Sequence, residues 1–239
     1  MIRTQWIFLT AFAALSCAVT AQASILSDGN FSAATTGTTT SNSSWQLIAN
    51  NPDGTNRAAQ FQTGFANAQN TGVGGPEAPG IGTGVWFRSF EGNQGGSGES
   101  LAQAVLTQSV FAPAAGDYTL DFVAGRELNF TARVFEVVLS TNTQSSMIDL
   151  LTAAIPDGNL GGAASPNPGG TPFSLTLPGI SAGELFTVTA VMLDGEDSQI
   201  PGGQSGFLDG FSLTGVPEPA SASLLALGLV GLMVRRRQS

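Results

Sequence analysis

The stretch DYTLDFVAG, residues 117–125, alternates apolar and polar side chains with a period of two. Successive side chains of a β-strand point to opposite faces of a sheet, so this alternation predicts a strand with one buried face. The residues expected on that face are Tyr118, Leu120, Phe122 and Ala124. A second stretch, LFTVTAVMLDG at residues 185–195, shows the same alternation. The residues expected on its buried face are Phe186, Val188, Ala190 and Met192.

Short runs with strand character cover much of the remaining chain. They lie at residues 24–32, 44–49, 58–62, 85–90, 101–112, 130–140, 172–179 and 207–215, while residues 147–156 fit either a short helix or another strand. Glycine makes up 31 of 239 residues, about 13% against the usual ~7%, so turns are frequent and long helices are disfavoured. Short strands without alternating helices predict an all-β fold, an antiparallel β-sandwich of the jelly-roll type.

The composition excludes most catalytic combinations of side chains. Histidine and lysine are absent, and the single cysteine is Cys17. Without histidine there is no Ser-His-Asp or Cys-His arrangement and no imidazole metal ligand. Without lysine there is no Schiff base and no phosphate-binding P-loop. The chemistry left to the chain is that of carboxylates, hydroxyls, amides and arginine.

The charge of the central region is strongly acidic. Between residues 24 and 216 the chain has four arginines against sixteen aspartates and glutamates. Such a balance argues against a nucleic-acid partner and is compatible with divalent cations. An acidic surface also keeps an exported protein soluble, with no ligand implied.

The N-terminus has the three parts of a secretory signal peptide. Arg3 precedes an apolar run at residues 6–19, and Ala21 and Ala23 form a small-x-small cleavage site before Ser24. We therefore expect residues 1–23 to be a signal helix that is removed on export, which leaves no cysteine in the mature chain. Lipoprotein cleavage before Cys17 is the alternative.

The C-terminus reads VPEPASASLLALGLVGLMVRRRQS, residues 216–239. Its apolar run at residues 220–234, as a helix, would cover roughly 22 Å of the ~30 Å hydrocarbon core of a bilayer. Arg235, Arg236 and Arg237 come next, and the positive-inside rule places such a cluster in the cytoplasm. The sequence thus predicts a short C-terminal transmembrane helix with the central region outside the inner membrane.

The order of these C-terminal parts resembles the PEP-CTERM sorting signal. The residues that match its motif are Val216, Pro217, Glu218 and Pro219. The resemblance implies recognition by an exosortase, cleavage near the motif, and transfer to the envelope or surface of a Gram-negative bacterium that makes exopolysaccharide. The expected organisation is a signal peptide (1–23), a β-sandwich domain (24–214) and a sorting signal (215–239).

The central region resembles the galactose-binding-like and carbohydrate-binding-module-like jelly rolls. The segments that carry the resemblance are DGNFS (28–32), AAQFQ (58–62), LTQSVFAPAAGDYTLDFVAGRE (106–127) and GFLDGFSLTG (206–215). In several such modules a structural calcium ion ties the opening and closing strands through an acid just after the opening Phe and through the closing Asp. Here Asp209 is the closing Asp, but Ser32 follows Phe31, so Asp28 would be the nearest substitute ligand.

Asp209 has three alternative environments. The period-two rule places Phe207, Asp209 and Phe211 on one face, together with Leu213, and a buried carboxylate is costly unless it is paired. Either a bulge at Gly210 turns it outward, or backbone amides cap it, or an arginine or calcium ion binds it. A second acidic cluster has the oxygen ligands that calcium prefers, but it also fits a solvated turn. It consists of Asp194, Glu196 and Asp197.

Trp86 and Arg88 are the candidate platform for a sugar. They lie with Phe87 and Phe90 in VWFRSF, and the faces of aromatic rings pack on the apolar faces of sugars. The alternative is that Trp86 is an ordinary core residue.

These observations favour a non-enzymatic, surface-sorted protein of the extracellular polysaccharide matrix, as in a biofilm, with an adhesive or structural role and contact with glycan. The first alternative is a polysaccharide hydrolase or lyase that uses carboxylates, since those need neither histidine nor lysine. The second is a permanently anchored periplasmic protein. The partners implied are an exosortase, exopolysaccharide and, before processing, the inner membrane.

Overall fold

The computed structural model describes residues 23–33, 44–52, 54, 56–63, 83–92, 100–155, 171–200 and 204–217. The predicted signal helix, the predicted transmembrane helix and the sorting residues after Pro217 lie outside these ranges. In the described part, no helix has the length and apolar character needed to cross a membrane. A single 3-10 turn at Ser89–Glu91 is the helical element found there.

Ten strands make up the described fold. They are β1 (Gln46–Ala49), β2 (Ala59–Thr63), β3 (Thr83–Arg88), β4 (Ala102–Phe111), β5 (Gly116–Arg126), β6 (Val134–Ser140), β7 (Ser145–Asp149), β8 (Thr171–Ile180), β9 (Leu185–Gly195) and β10 (Ser205–Pro217). They form two five-stranded sheets, in the orders β1-β4-β9-β6-β7 and β2-β3-β10-β5-β8. All the strand pairs are antiparallel. The predicted antiparallel β-sandwich is confirmed.

The core lies between the two sheets and is built by the alternation seen in the sequence. The predicted apolar face of β5 is buried, as is that of β9. A cluster of aromatic rings fills one part of the core, where Phe31, Trp45 and Phe211 lie with ring centroids 5.2–5.9 Å apart. Burial of such large rings contributes most of the stability of a small sandwich.

The opening segment differs from its predicted conformation. The sequence predicts a strand over residues 24–32, but these residues form bends and turns that lie along the edge of β10. Ile25 donates its backbone N–H to the carbonyl oxygen of Leu213 (2.8 Å), and Phe211 donates to that of Gly29 (2.9 Å). Asp28 and Phe31 both have positive φ angles, which interrupt an extended strand.

The structure also decides one open alternative in favour of a strand and corrects one strand boundary. Residues 145–149 form strand β7 at a sheet edge, and no helix is formed by residues 150–155. Strand β6 begins at Val134 rather than at residue 130, because residues 127–133 form the connection from β5.

The sandwich has two ends with different surfaces. The tail pole is the end where β10 finishes at Pro217, beside the β4–β5 turn (112–115), the β6–β7 turn (141–144) and the β8–β9 turn (181–184). The far pole is the opposite end, where β10 begins beside the Ser89–Glu91 turn and the β5–β6 connection (127–133).

Candidate functional site: an aromatic cluster on an outer sheet face

Trp86 lies on the outer face of the second sheet, near the far pole. In the strand register it stands directly opposite Gln60 of β2 and Phe207 of β10. The neighbouring row, with Val85 opposite Leu208, faces the core. Because side chains alternate between the faces, Trp86 belongs to the outside of the sandwich. It is half-buried there, so it is not the ordinary core tryptophan of the alternative interpretation.

The structure brings Arg88 onto the ring of Trp86. The Arg88 Cζ atom lies 4.5 Å from the centroid of the Trp86 ring and 4.9 Å from that of Phe90. The two rings are 6.0 Å apart, and an ion pair joins Arg88 to Glu91 within the same turn. Since Arg88 is only 8% exposed, its cation–π contacts are largely desolvated, and such contacts are worth about 2 kcal/mol. The cluster fixes the orientation of the indole.

Two glutamine side chains extend this surface. Gln60 and Gln62 alternate with the buried Phe61 in β2, so both lie on the outer face with Trp86. The Gln60 Nε2 atom donates to Gln62 Oε1 over 2.8 Å. Alternation within the predicted strand 58–62 could have identified both residues, whereas their proximity to Trp86 follows only from the strand register.

Gly84 leaves room for the ring of Phe207 on this outer face. A Cβ atom added at Gly84 would lie 1.8 Å from Phe207 Cζ, so the phenyl ring occupies the space above that glycine. Phe207 is completely buried, although it is not a member of the main core cluster. The outer face of β3 and β10 therefore carries a small apolar layer of its own.

Asp209 lies on this outer face and not among the core phenylalanines. Asp209 pairs with Val123 and Ser212 with Asp121, so β10 has one extra residue at this point. Gly210 adopts φ +65° in the bulge, which returns Phe211 and Leu213 to the core. The prediction of one continuous face was wrong for this reason.

The bulge nevertheless does not expose Asp209, which is only 2% accessible. The backbone N–H of Gly210 donates to its Oδ1 atom over 2.6 Å. Both the bulge and the capping by a backbone amide thus occur, although the sequence presents them as alternatives.

Asp28 has different partners from Asp209. Its Oδ1 atom accepts hydrogen bonds from the hydroxyl of Ser32 (3.0 Å) and the backbone N–H of Ala33 (3.1 Å). Its carbonyl oxygen accepts from Trp45 Nε1 (3.0 Å). Ser32, which stands where the resembling modules carry an acid, therefore donates to Asp28. Calcium binding by Asp28 and Asp209 stays a prediction.

The second acidic cluster is engaged by protein donors. Asp194 forms an ion pair with Arg133 and accepts from Gln103 Nε2 over 2.6 Å, and the hydrogen bond from Arg133 is the main cause that lowers the pKa of Asp194. Asp197 accepts from Gln204 Nε2 over 2.8 Å. Within the described ranges, no three His, Cys, Asp or Glu residues come together as a metal site. This arrangement supports the interpretation as a turn.

Comparisons with known proteins found one family model that matches the C-terminal segment and several similar solved structures. Residues 215–237 match the family model of the PEP-CTERM protein-sorting motif, and no curated protein matches the chain. The similar solved structures include TmCBM61 in complex with beta-1,4-galactotriose, at 16% identity over 80% of this chain and 97% of that one, with a TM-score of 0.45. A CBM4 structure is 12% identical over 80% of this chain and 99% of that one, with a TM-score of 0.40.

The enzymatically active domain of tailspike protein 4 of bacteriophage CBA120 is also similar. It is 12% identical over 80% of this chain and 21% of that one, with a TM-score of 0.43. At these identities and TM-scores, none of the three likenesses decides what this chain binds or does. The family match is specific, however, and it covers the segment with the motif, the apolar run and the arginines. Residues 215–237 are thus a PEP-CTERM protein-sorting motif, which indicates export and C-terminally anchored sorting in a Gram-negative bacterium, with processing by an exosortase.

Proposed function

We propose that this chain is an exported, non-catalytic protein of the extracellular polysaccharide matrix that holds glycan on the outer face of β2, β3 and β10. The observation that carries the proposal is the half-buried Trp86, fixed by Arg88 and Phe90 and flanked by Gln60 and Gln62. A rigid ring beside amides is the chemistry that recognises a sugar, because the ring packs on its C–H face while the amides bond its hydroxyls.

The position of the cluster supports display away from the cell. Strand β10 begins next to Arg88 and ends at Pro217, within the sorting motif. Its 13 residues span roughly 40 Å at ~3.3 Å per residue. The candidate site and the sorting tail therefore lie at opposite ends of the sandwich. A matrix glycan would then meet the exposed pole while the chain is still held at the membrane.

Asp209 of β10 and Glu91 of the 3-10 turn, the two acids beside the aromatic cluster, do not favour the hydrolase or lyase alternative. Asp209 and Glu91 are 2% and 1% exposed. Glu91 pairs with Arg88, and Asp209 accepts the N–H of Gly210. A glycosidase needs two carboxyl groups that reach the scissile bond from opposite sides. Neither of these two carboxylates is accessible to a polymer lying on the face.

The proposal is tested by comparing the glycan affinity of the natural chain with that of a variant that lacks the Trp86 ring. We expect the chain to bind members of an array of bacterial exopolysaccharides. We expect Trp86→Ala to weaken binding about 5- to 150-fold by calorimetry, since loss of a stacked ring costs about 1–3 kcal/mol. The control is Ile48→Ala, an exposed residue on the other sheet, which should bind like the natural chain. Arrays with and without calcium test the predicted cation at the same time.

Three results would count against the proposal. Unchanged affinity in Trp86→Ala, with an unaltered urea-unfolding midpoint, would exclude this surface. The absence of binding to every glycan on the array would remove the function. Release of shortened oligosaccharides from a bound polymer would favour the catalytic alternative.

A further inference from the structure

The tail pole carries an exposed apolar turn. The β4–β5 connection, with its flanking residues, reads FAPAAG (111–116) and contains no polar side chain. Phe111 is 68% exposed, and Pro113 and Ala115 are also exposed. Val216, on the adjacent end of β10, is 56% exposed.

Phe111 lies on the outer face of the first sheet and Val216 on that of the second, and Leu128 and Ile200 are comparably exposed at the far pole. What distinguishes the tail pole is the apolar turn between β4 and β5, and exposed apolar side chains of this kind favour contact with something less polar than water.

This turn is held in place by the fold. Phe111 pairs with Leu185 of β9 at the end of its ladder. The Tyr118 hydroxyl donates to the carbonyl oxygen of Ala114 over 2.7 Å. Gly183 donates its N–H to the carbonyl oxygen of Ala112 over 2.8 Å. The phenyl ring of Phe111 is therefore presented from a rigid base, and no backbone ordering is needed before it makes a contact.

Charge is distributed unequally between the two poles. The described charged residues at the tail pole are Asp117 and Glu184, and both carboxylates accept backbone N–H groups, from Gly179 (2.8 Å) and Ser181 (3.2 Å) respectively. Hydrogen bonds from Thr141 and from the Ser181 backbone lower the pKa of Glu184. The four arginines of the central region all belong to the far pole or to connections there; they are Arg57, Arg88, Arg126 and Arg133.

The chain after β10 limits how far this pole can be from a membrane. β10 ends at Pro217, and the apolar run of the sorting tail begins at Ala220. Three residues reach at most about 10 Å. The headgroup layer on each side of the hydrocarbon core is itself about 5–7 Å thick. With the apolar run inserted in the bilayer, the tail pole must therefore lie against the headgroups.

We propose that the tail pole is a membrane-contacting surface, on which Phe111, Pro113, Ala115 and Val216 rest in the interfacial layer of the bilayer that holds the unprocessed tail. Aromatic and small apolar groups are favoured at that depth. The two nearby carboxylates are tied to backbone amides, and no arginine among the described residues holds the pole to anionic headgroups. The contact orients the far pole away from the cell. After cleavage, the small apolar area alone is too weak to retain the body on the membrane.

Single-cysteine reporters at matched positions test this surface. The exported chain, residues 24–239, contains no cysteine. Phe111→Cys and Leu128→Cys replace residues that are 68% and 64% exposed at the two poles, so neither change should disturb the core. Each variant is labelled with the fluorophore NBD and reconstituted through its tail into vesicles of phosphatidylethanolamine and phosphatidylglycerol. Nitroxide lipids then report proximity, and the NBD emission wavelength reports polarity.

We expect blue-shifted emission and several-fold stronger nitroxide quenching at position 111, with water-like emission at 128. Loss of the shift when the tail is cleaved off is expected as well. Water-like emission at 111 with the tail inserted, or equal quenching at both positions, would overturn the proposal. Neither outcome depends on glycan, so the proposed function can fail without affecting this result, and the reverse also holds.

Discussion

Asp194 illustrates how a single surface carboxylate ties three elements together. It follows the end of the alternating part of β9 with φ +52°, pairs with Arg133 before β6 and accepts from Gln103 of β4. These donors lower the pKa of its carboxyl group below the usual value of 3.8. Its folded-state pKa is thus below that of the unfolded chain. The stabilisation is complete above the unfolded pKa and disappears as the pH falls through the folded pKa.

We therefore expect Asp194→Asn to unfold at lower urea concentration than the natural chain at pH 7. The difference should shrink at a pH well below 3.8, as the natural carboxylate becomes protonated in the folded chain. Urea-unfolding midpoints at the two pH values measure it. The same substitution in an Arg133→Gln background should have a smaller effect at pH 7, because the main partner is already missing. An equal loss of stability at both pH values would show that charge is not the cause.

Trp86 shows why burial at the residue scale cannot be read from hydrophobicity. Trp86 lies in β3 between the apolar Val85 and Phe87, while Trp45 precedes β1 between the polar Ser44 and Gln46, yet Trp45 is completely buried and Trp86 is only half-buried. What separates them is the face of the sheet to which each belongs, together with the contact of Arg88 with the Trp86 ring.

Strand β10 organises the second sheet at the element scale. It pairs with β3 over Ser205–Leu208 and with β5 from Gly206 to its last residue, Pro217. The bulge at residues 209–212 separates its two halves. Where the pairing with β3 ends, the opening segment hydrogen-bonds to the same edge of β10, through Ile25 and Gly29. The strand also contains Val216 and Pro217, which pair with Asp117 and Gly116. The first residues of the sorting motif are therefore part of the folded sandwich.

The close approach of the opening segment depends on Gly29. A Cβ atom there would lie 1.8 Å from the backbone oxygen of Phe211, and backbone cannot move aside cheaply. We expect Gly29→Ala to destabilise the chain by about 1–3 kcal/mol, as overpacking does. Urea unfolding provides the measurement. Ser27→Ala, an exposed position in the same segment, should change stability by less than about 0.5 kcal/mol. Natural stability in Gly29→Ala would mean that the segment is not held against β10.

At the scale of the whole molecule, the sorting motif and the candidate glycan surface lie towards opposite ends of the sandwich. The sorting motif leaves one pole, and the aromatic cluster lies near the other, at the beginning of the same strand. All four arginines of the central region occur towards the far pole, while the tail pole carries the apolar turn 112–115 beside the turns 141–144 and 181–184, which contain polar side chains. This asymmetry is what a protein held by its C-terminus needs if its binding face is to point outward.

Exosortase processing predicts a definite mass for the mature chain. Intact-mass spectrometry of the protein from its native host should find a form that begins near Ser24 and lacks the apolar run at 220–234, because the resemblance to sorted proteins implies cleavage near the motif. A variant with Glu218→Ala should retain its full tail if the motif is what the enzyme recognises. A natural chain that keeps residues 217–239 would instead support the permanently anchored alternative.

The period-two alternation determined the strands of the core, because one residue in two must be apolar wherever one face of a sheet is buried. The C-terminal sorting motif was likewise predictable, since such a signal is recognised as a linear segment; the signal peptide at residues 1–23 stays a prediction. The sandwich class, the apolar faces of β5 and β9 and the PEP-CTERM motif were all predictable on this basis.

Only the tertiary structure decided which residues meet across strands. The bulge that moves Asp209 to the outer face depends on the pairing of β10 with β5. The grouping of Gln60, Trp86 and Phe207 depends on the register of three strands that are far apart in sequence. The sequence by itself determined the route of this protein and the strands of its core, because periodicity and terminal signals are local. The candidate glycan surface and the position of the apolar turn at the tail pole came from register and strand direction, which are long-range and leave no local pattern.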